Sequence, residues 1–177
     1  MFPLSLIDAR AREEGLDYIV IGGHAINVYA APRTTLDLDV LVRKADQAPW
    51  RELLEAEGFR LVSDSSVFLQ FSPPYGIDWR FDLMLVTTET FDKMLAGSRT
   101  QSMLGIEARV PAPAHLLALK LHALRHGHPE RFEKDFGDVL GLVRGAAMDL
   151  RSSECRELFA RFGTPELYER TLARLGL

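Results

Sequence analysis

The sequence predicts an α/β (α+β) core over residues 1–110 followed by a helical lobe over residues 111–177. Three observations predict it. Short β-branched runs alternate with amphipathic stretches as far as "IEARV". Pro111 and Pro113 then mark a change of character, and four stretches at helical spacing follow, separated by Gly, Pro or Ser. Hydrophobic residues make up 47% and charged residues 26% of the 177 residues, the balance of a globular chain with room for a core and a small second lobe.

The elements follow in order. "LSLIDARAREEGL" has helical spacing and ends near Gly15. "DYIVIGG" is a β-branched run closing on two glycines, hence a strand and a turn. "HAINVYAA" reads as a helix stopped by Pro32, and "TLDLDVLV" as a strand. "ADQAPWRELLEAEG" is an amphipathic helix stopped at Gly58. "FRLVSD" and "VFLQFS" are strands around a turn, and "IDWRFDLMLV" is the next strand. "TTETFDKMLAG" is a helix with a Thr cap and a Gly stop, and "RTQSML" with "IEARV" forms a hairpin through Gly105. Helices are then expected in "PAPAHLLALKLHALRHG", "PERFEKDFGDVLGLVRG", "SSECRELFARFG" and "TPELYERTLARLG".

Composition excludes several classes. A net charge of -4 is a poor footprint for a dedicated nucleic-acid binder and leaves room only for a local basic cleft. The single cysteine, Cys155, rules out an intrachain disulfide framework and a cysteine-rich zinc site. The start "MFPLSLIDAR" lacks a basic n-region and a long apolar run, and no stretch approaches the roughly 18 apolar residues of a membrane span. A cytoplasmic protein without a membrane partner is expected.

The chemistry centres on "TLDLDVLV". Strand side chains alternate between faces, so Asp37 and Asp39 share one face while Leu36, Leu38 and Val40 share the other. Neighbouring carboxylates repel one another and resist burial, so solvent, basic partners or a metal must compensate. The polar face of an edge strand is one reading. A magnesium site is the other, because Mg²⁺ takes carboxylate and phosphate oxygens and arrives with a nucleotide. Two such ions about 3.5–4 Å apart clamp attacking and leaving oxygens in phosphoryl transfer. "RFDLMLV" offers Asp82 as a third carboxylate, with Asp78 at even spacing as its competitor. Gly22 and Gly23 follow a strand and open a helix, where backbone N–H groups can gather around an anion.

With these residues in place, "GGHAINVYAAPRTTLDLDVLV" resembles the nucleotidyltransferase superfamily with a polymerase-beta-type palm, and more narrowly AbiEii-type toxin nucleotidyltransferases and related bacterial proteins. "LLALKLHALRHGHPERFEKDFGDVLGLV" is similar to that group's Lys helix and the Asp-rich helix after it. The resemblance implies a nucleotidyltransferase-type mixed sheet flanked by helices. It implies a magnesium-dependent enzyme, using two ions, that moves NMP from an NTP such as ATP to an acceptor hydroxyl. The acceptor would be tRNA, a partner protein or a small molecule, and the chain one half of a toxin–antitoxin pair. Gly22 and Gly23 would hold the triphosphate, Asp37, Asp39 and Asp82 the metal, and Lys120 would neutralise phosphate charge. Asp82 would also help deprotonate the acceptor. Gly23 stands where many members have Ser, and His24 follows it, a departure that motivates the alternative of an inactive nucleotide-binding module.

Other residues have two readings each. Arg33, Thr34 and Thr35 offer phosphate contacts or a solvated loop after Pro32. Lys120 lies among Leu116, Leu117, Ala123 and Leu124 on its helix, so it snorkels or meets an anion. Asp138 reads as a surface partner of Lys134, and Asp135 as a residue positioning Lys120. His115, His122, His126 and His128 read as a polar helix edge, since no H-E-x-x-H signature is present. Trp50, Trp79 and Cys155 read as structural.

Overall fold

The computed structural model describes residues 3–177. Its elements run α1 (Pro3–Glu13), β1 (Ile19–Val20), α2 (Gly22–Tyr29), β2 (Asp37–Arg43), α3 (Gln47–Ala56), β3 (Arg60–Asp64), β4 (Phe68–Ser72), β5 (Arg80–Val86), α4 (Thr88–Ala96), β6 (Arg99–Met103), β7 (Ile106–Val110), α5 (Pro113–His126), α6 (Phe132–Gly145), α7 (Ser153–Phe162) and α8 (Pro165–Leu175). The architecture is mixed α/β, with a five-stranded sheet in the order β1-β2-β5-β4-β3 and a separate β6-β7 hairpin. The chain divides into two compact units: residues 1–24 with 34–111, and residues 25–33 with 112–177. Residues 25–33 belong with the later helices rather than with the sheet.

In the first unit, β2 and β5 pair in parallel and every other pairing is antiparallel. One face of the sheet is apolar. Leu38, Val40 and Val42 of β2, Phe81, Leu83 and Leu85 of β5, and Leu69 and Phe71 of β4 pack with Trp50, Leu53 and Leu54 of α3 and Leu4, Ile7 and Ala11 of α1. The period of two in each strand dictates this face, and each fully buried Leu or Phe contributes about 1.5–3 kcal/mol. The central strand is the weak point to attack: Leu83 is 0% exposed, and Leu83→Ala removes about 2–5 kcal/mol.

In the second unit, α5 packs on α6 and α7, and α8 on α6 and α7. The buried stripes are Leu116, Leu117 and Leu121 of α5, Phe136, Val139, Leu142 and Val143 of α6, Cys155 and Phe159 of α7, and Leu167 of α8. Ser152 and Thr164 cap α7 and α8, accepting hydrogen bonds from the N–H groups of Cys155 and Leu167, both at 3.2 Å. Among the described residues no helix is long and apolar enough to cross a membrane.

Candidate functional site

The alternation that buries Leu38, Val40, Phe81 and Leu83 sends Asp37, Asp39 and Asp82 to the opposite face of the same sheet. Register aligns them. Asp39 pairs with Asp82 and Asp37 with Arg80 across the parallel β2-β5 ladder, while Gln70 of β4 pairs with Asp82 on its other side. The result is one row of side chains, Asp39-Asp82-Gln70, with Asp37 and Arg80 a step away. Asp78 precedes β5 and is exposed, so Asp82 is the carboxylate that stands level with Asp39.

Asp82 is the pressured member. It is 7% exposed, and its Oδ1 has no hydrogen-bond partner among the described residues. Gln70 donates its Nε2–H to Oδ2 at 3.4 Å, a long bond. Burial first, and then the charge of Asp39, push the Asp82 carboxyl from 3.8 up to about 6. Asp37 adds to the rise, while the Gln70 hydrogen bond and the charge of Arg80 oppose it. Asp37 Oδ1 lies 3.8 Å from Arg80 Nε.

The glycine turn is built into the same row. The Ile21 N–H donates to the Asp39 carbonyl at 2.9 Å, which brings Gly22 alongside Asp39. Gly22 adopts φ +61°, and a Cβ built there would run into the Asp39 carboxylate. Glycine is therefore required twice, for the left-handed backbone and for the space Asp39 occupies. Gly23 is buried and His24 half-buried in the first turn of α2. Thr35 Oγ1 donates to the Asp37 carbonyl at 3.3 Å.

Lys120 and Arg33 lie in the helical unit, and both are engaged by carboxylates. Lys120 Nζ is 2.6 Å from Asp135 Oδ1 and 2.7 Å from Asp138 Oδ2. The Arg33 guanidinium donates to both Asp138 oxygens, at 2.7 and 2.8 Å. Asp138 is thus a buried residue, 4% exposed, and not the surface partner of Lys134. Burial works against its charged form, but the hydrogen bonds from Arg33 and the charge of Lys120 outweigh it and hold the carboxyl below its ordinary range. His122 and His126 lie on the exposed side of α5 with ring centroids 4.6 Å apart.

Among the described residues no three His, Cys, Asp or Glu side chains converge as a metal-holding group. The carboxylate row nevertheless fits a cation in its donor chemistry. A buried carboxyl with one oxygen unpartnered among the described residues, raised toward protonation by burial and then by two neighbouring charges, is relieved by a divalent ion. Asp39 and Asp37 are the neighbours whose charges act on Asp82. Two members of this site lie beyond the sequence signals used above: Gln70 and Arg80. Gln70 is a polar residue at an alternate position of "VFLQFS", and Arg80 stands two residues before Asp82.

No family model matches the chain, and no curated protein sequence matches it. Solved structures share its fold. The chain is similar to ANT(2")-Ia in complex with adenylyl-2"-tobramycin, with a TM-score of 0.65 and 14% identity, covering 99% of both chains. It is similar to a nucleotidyltransferase-like antigenic protein from Paracoccidioides brasiliensis, with a TM-score of 0.57 and 18% identity over 96% of this chain and 88% of the other. The lincosamide antibiotic adenylyltransferase LnuA, lincomycin-bound, gives 0.53 and 15% identity over 78% and 93%. At these identities the likeness is one of fold.

Proposed function

We propose that the row formed by Asp37, Asp39 and Asp82 binds magnesium with a nucleoside triphosphate, and that the chain transfers NMP to an acceptor hydroxyl. One observation carries the reading. Asp82 stands level with Asp39 on adjacent parallel strands, with a buried oxygen that lacks a protein donor. Magnesium, when bound, would neutralise these carboxylates and the triphosphate together. The chain's residues would do the rest. Asp37 and Asp39 orient the cation side of the nucleotide. The Gly22-Gly23 turn presents backbone N–H groups to phosphate oxygens. The Asp82 carboxylate is the group suited to accept the acceptor's proton. Thr35 holds the backbone at Asp37.

The acceptor is the open part of the reading. Two fold neighbours carry antibiotics in their structures, tobramycin as an adenylyl adduct and lincomycin, and they favour a small hydroxylated molecule. The tRNA and partner-protein acceptors, the toxin–antitoxin role and the AbiEii kinship rest on the sequence resemblance alone. A second reading, a nucleotide-binding module without turnover, is favoured by the contact of Asp37 with Arg80. Incubation with α-labelled NTPs, Mg²⁺ and separate pools of tRNA, protein and aminoglycoside or lincosamide decides between them. Label transferred by the wild type and lost in Asp37→Asn and Asp39→Asn supports the enzyme. Nucleotide retained on the protein with no label transferred supports the module. Normal transfer by Asp37→Asn would sink the proposed mechanism.

A further inference from the structure

Apart from Asp82, the buried charged residues among those described are Lys120, Asp135 and Asp138 of the helical unit, and the half-buried Arg33 pairs with them. The side chains of Lys120, Asp135 and Asp138 are 11%, 5% and 3% exposed, and Arg33 closes the set at 28%. Burying ions is costly, and apolar residues of similar volume commonly serve stability as well or better. The geometry of this arrangement allows a role besides stability.

Arg33 is held at both ends. The Asn27 side chain grips its backbone, donating Nδ2–H to the Arg33 carbonyl at 2.8 Å and accepting the Arg33 N–H on Oδ1 at 3.0 Å. Asp138 grips its side chain through two parallel hydrogen bonds of 2.7 and 2.8 Å. That fork geometry is available to arginine and not to lysine. Lys120 also contacts Asp138, at Oδ2, at 2.7 Å and ties it to Asp135 at 2.6 Å. Arg131 Nε lies 3.9 Å from Asp135 Oδ2 as well, so cations within the cluster match both carboxylates. Beyond Arg33 the chain runs through Thr34, Thr35 and Leu36 without helix or strand, and Leu36 is 65% exposed. Asp37 comes next.

We propose that Asp138 is a positioning residue: together with Lys120 it locks Arg33 and so fixes the start of the irregular segment, residues 34–36, that follows Arg33 in the chain. The clamp stands on the distances above. Its consequence for nucleotide binding rests on the magnesium-nucleotide reading.

The test is hydrogen exchange of the Arg33 amide and of residues 34–39, followed by NMR on the full chain, together with binding of Mg²⁺ and a fluorescent ATP analogue. In Asp138→Asn and in Arg33→Lys, exchange at residues 33–37 should rise about tenfold or more while α7 and α8 keep their protection. Asp138→Glu, which retains a forked acceptor, should restore part of it. Analogue binding should weaken in parallel. Local exchange in a folded Arg33→Lys protein that matches the wild type overturns the clamp, and that variant serves even if Asp138→Asn fails to fold. Faster exchange in the variants of a chain that binds no magnesium nucleotide upholds the clamp and sinks the nucleotide reading, so the two fail separately.

Discussion

Asp82→Asn removes a charge that the fold holds at a cost. Burial, then Asp39 and Asp37, raise the Asp82 carboxyl from 3.8 to about 6. The folded chain therefore holds this proton more tightly than the unfolded chain. Between those two values the native state binds more protons, so the Asp82 contribution makes stability fall as pH rises, and the penalty is complete above pH 6. A rise from 3.8 to about 6 sets a ceiling of about 3 kcal/mol. Solvent screening on the open side of the row reduces this to about 1–2 kcal/mol. Asn keeps the shape and can still accept the Gln70 hydrogen bond. Urea unfolding in EDTA should show the two proteins within about 0.5 kcal/mol of each other at pH 4. At pH 8 Asp82→Asn should be the more stable by about 1–2 kcal/mol, or roughly 2–8 °C in Tm. Added Mg²⁺ should then stabilise the wild type and leave Asp82→Asn nearly unmoved. A pH-independent difference, or a variant less stable at pH 8, would refute the electrostatic account of the row.

Three further outcomes are expected. Gly22→Ala should cost about 1–3 kcal/mol in thermal or urea unfolding, because φ is +61° and the new Cβ meets Asp39. Gly15→Ala, at φ +67° with open space around it, should cost only the backbone strain of about 1 kcal/mol. Lys120→Met should cost about 3–5 kcal/mol at pH 7, since it leaves Asp135 and Asp138 buried without their shared cation. Asp138 is depressed below 3.8, so its stabilising contribution is full above that value and is lost as pH falls through the lower folded one; acid titration of unfolding should show Lys120→Met losing this dependence in part. Ser152→Ala and Thr164→Ala should each cost about 1 kcal/mol in urea unfolding through the lost caps.

Local pattern made much of this legible. The period-two run "TLDLDVLV" put both aspartates on one face, and the structure opposes that face to the core row of Leu38 and Val40. Helix and strand order followed from breakers and caps, which act within a few residues of themselves. The Gly-Gly turn was visible as a turn, but the reason for glycine at position 22 was not. That reason is the Asp39 carboxylate, seventeen residues on in the chain and brought alongside by the β1-β2 pairing and the Ile21–Asp39 backbone hydrogen bond.

What escaped the sequence was non-local. β2 pairs with β5 across two intervening strands, and only that crossover levels Asp39 with Asp82 and brings Gln70 and Arg80 into the row. A period of two assigns a face and leaves the partner strand undetermined. Asp138 is a different case: its signal is present in the sequence, but the nearest i-4 cation is not its partner. Lys134 lies at i-4, which suits a surface pair. Yet Asp135, Asp138, Val139 and Leu142 fall on one helical stripe, and the last two are 0% exposed. An aspartate embedded in an apolar stripe must bring a cation inward, and the chain holds an equally misplaced Lys120 on the preceding helix. Two opposite charges stranded on the apolar stripes of consecutive helices imply each other, and that inference needs no coordinates.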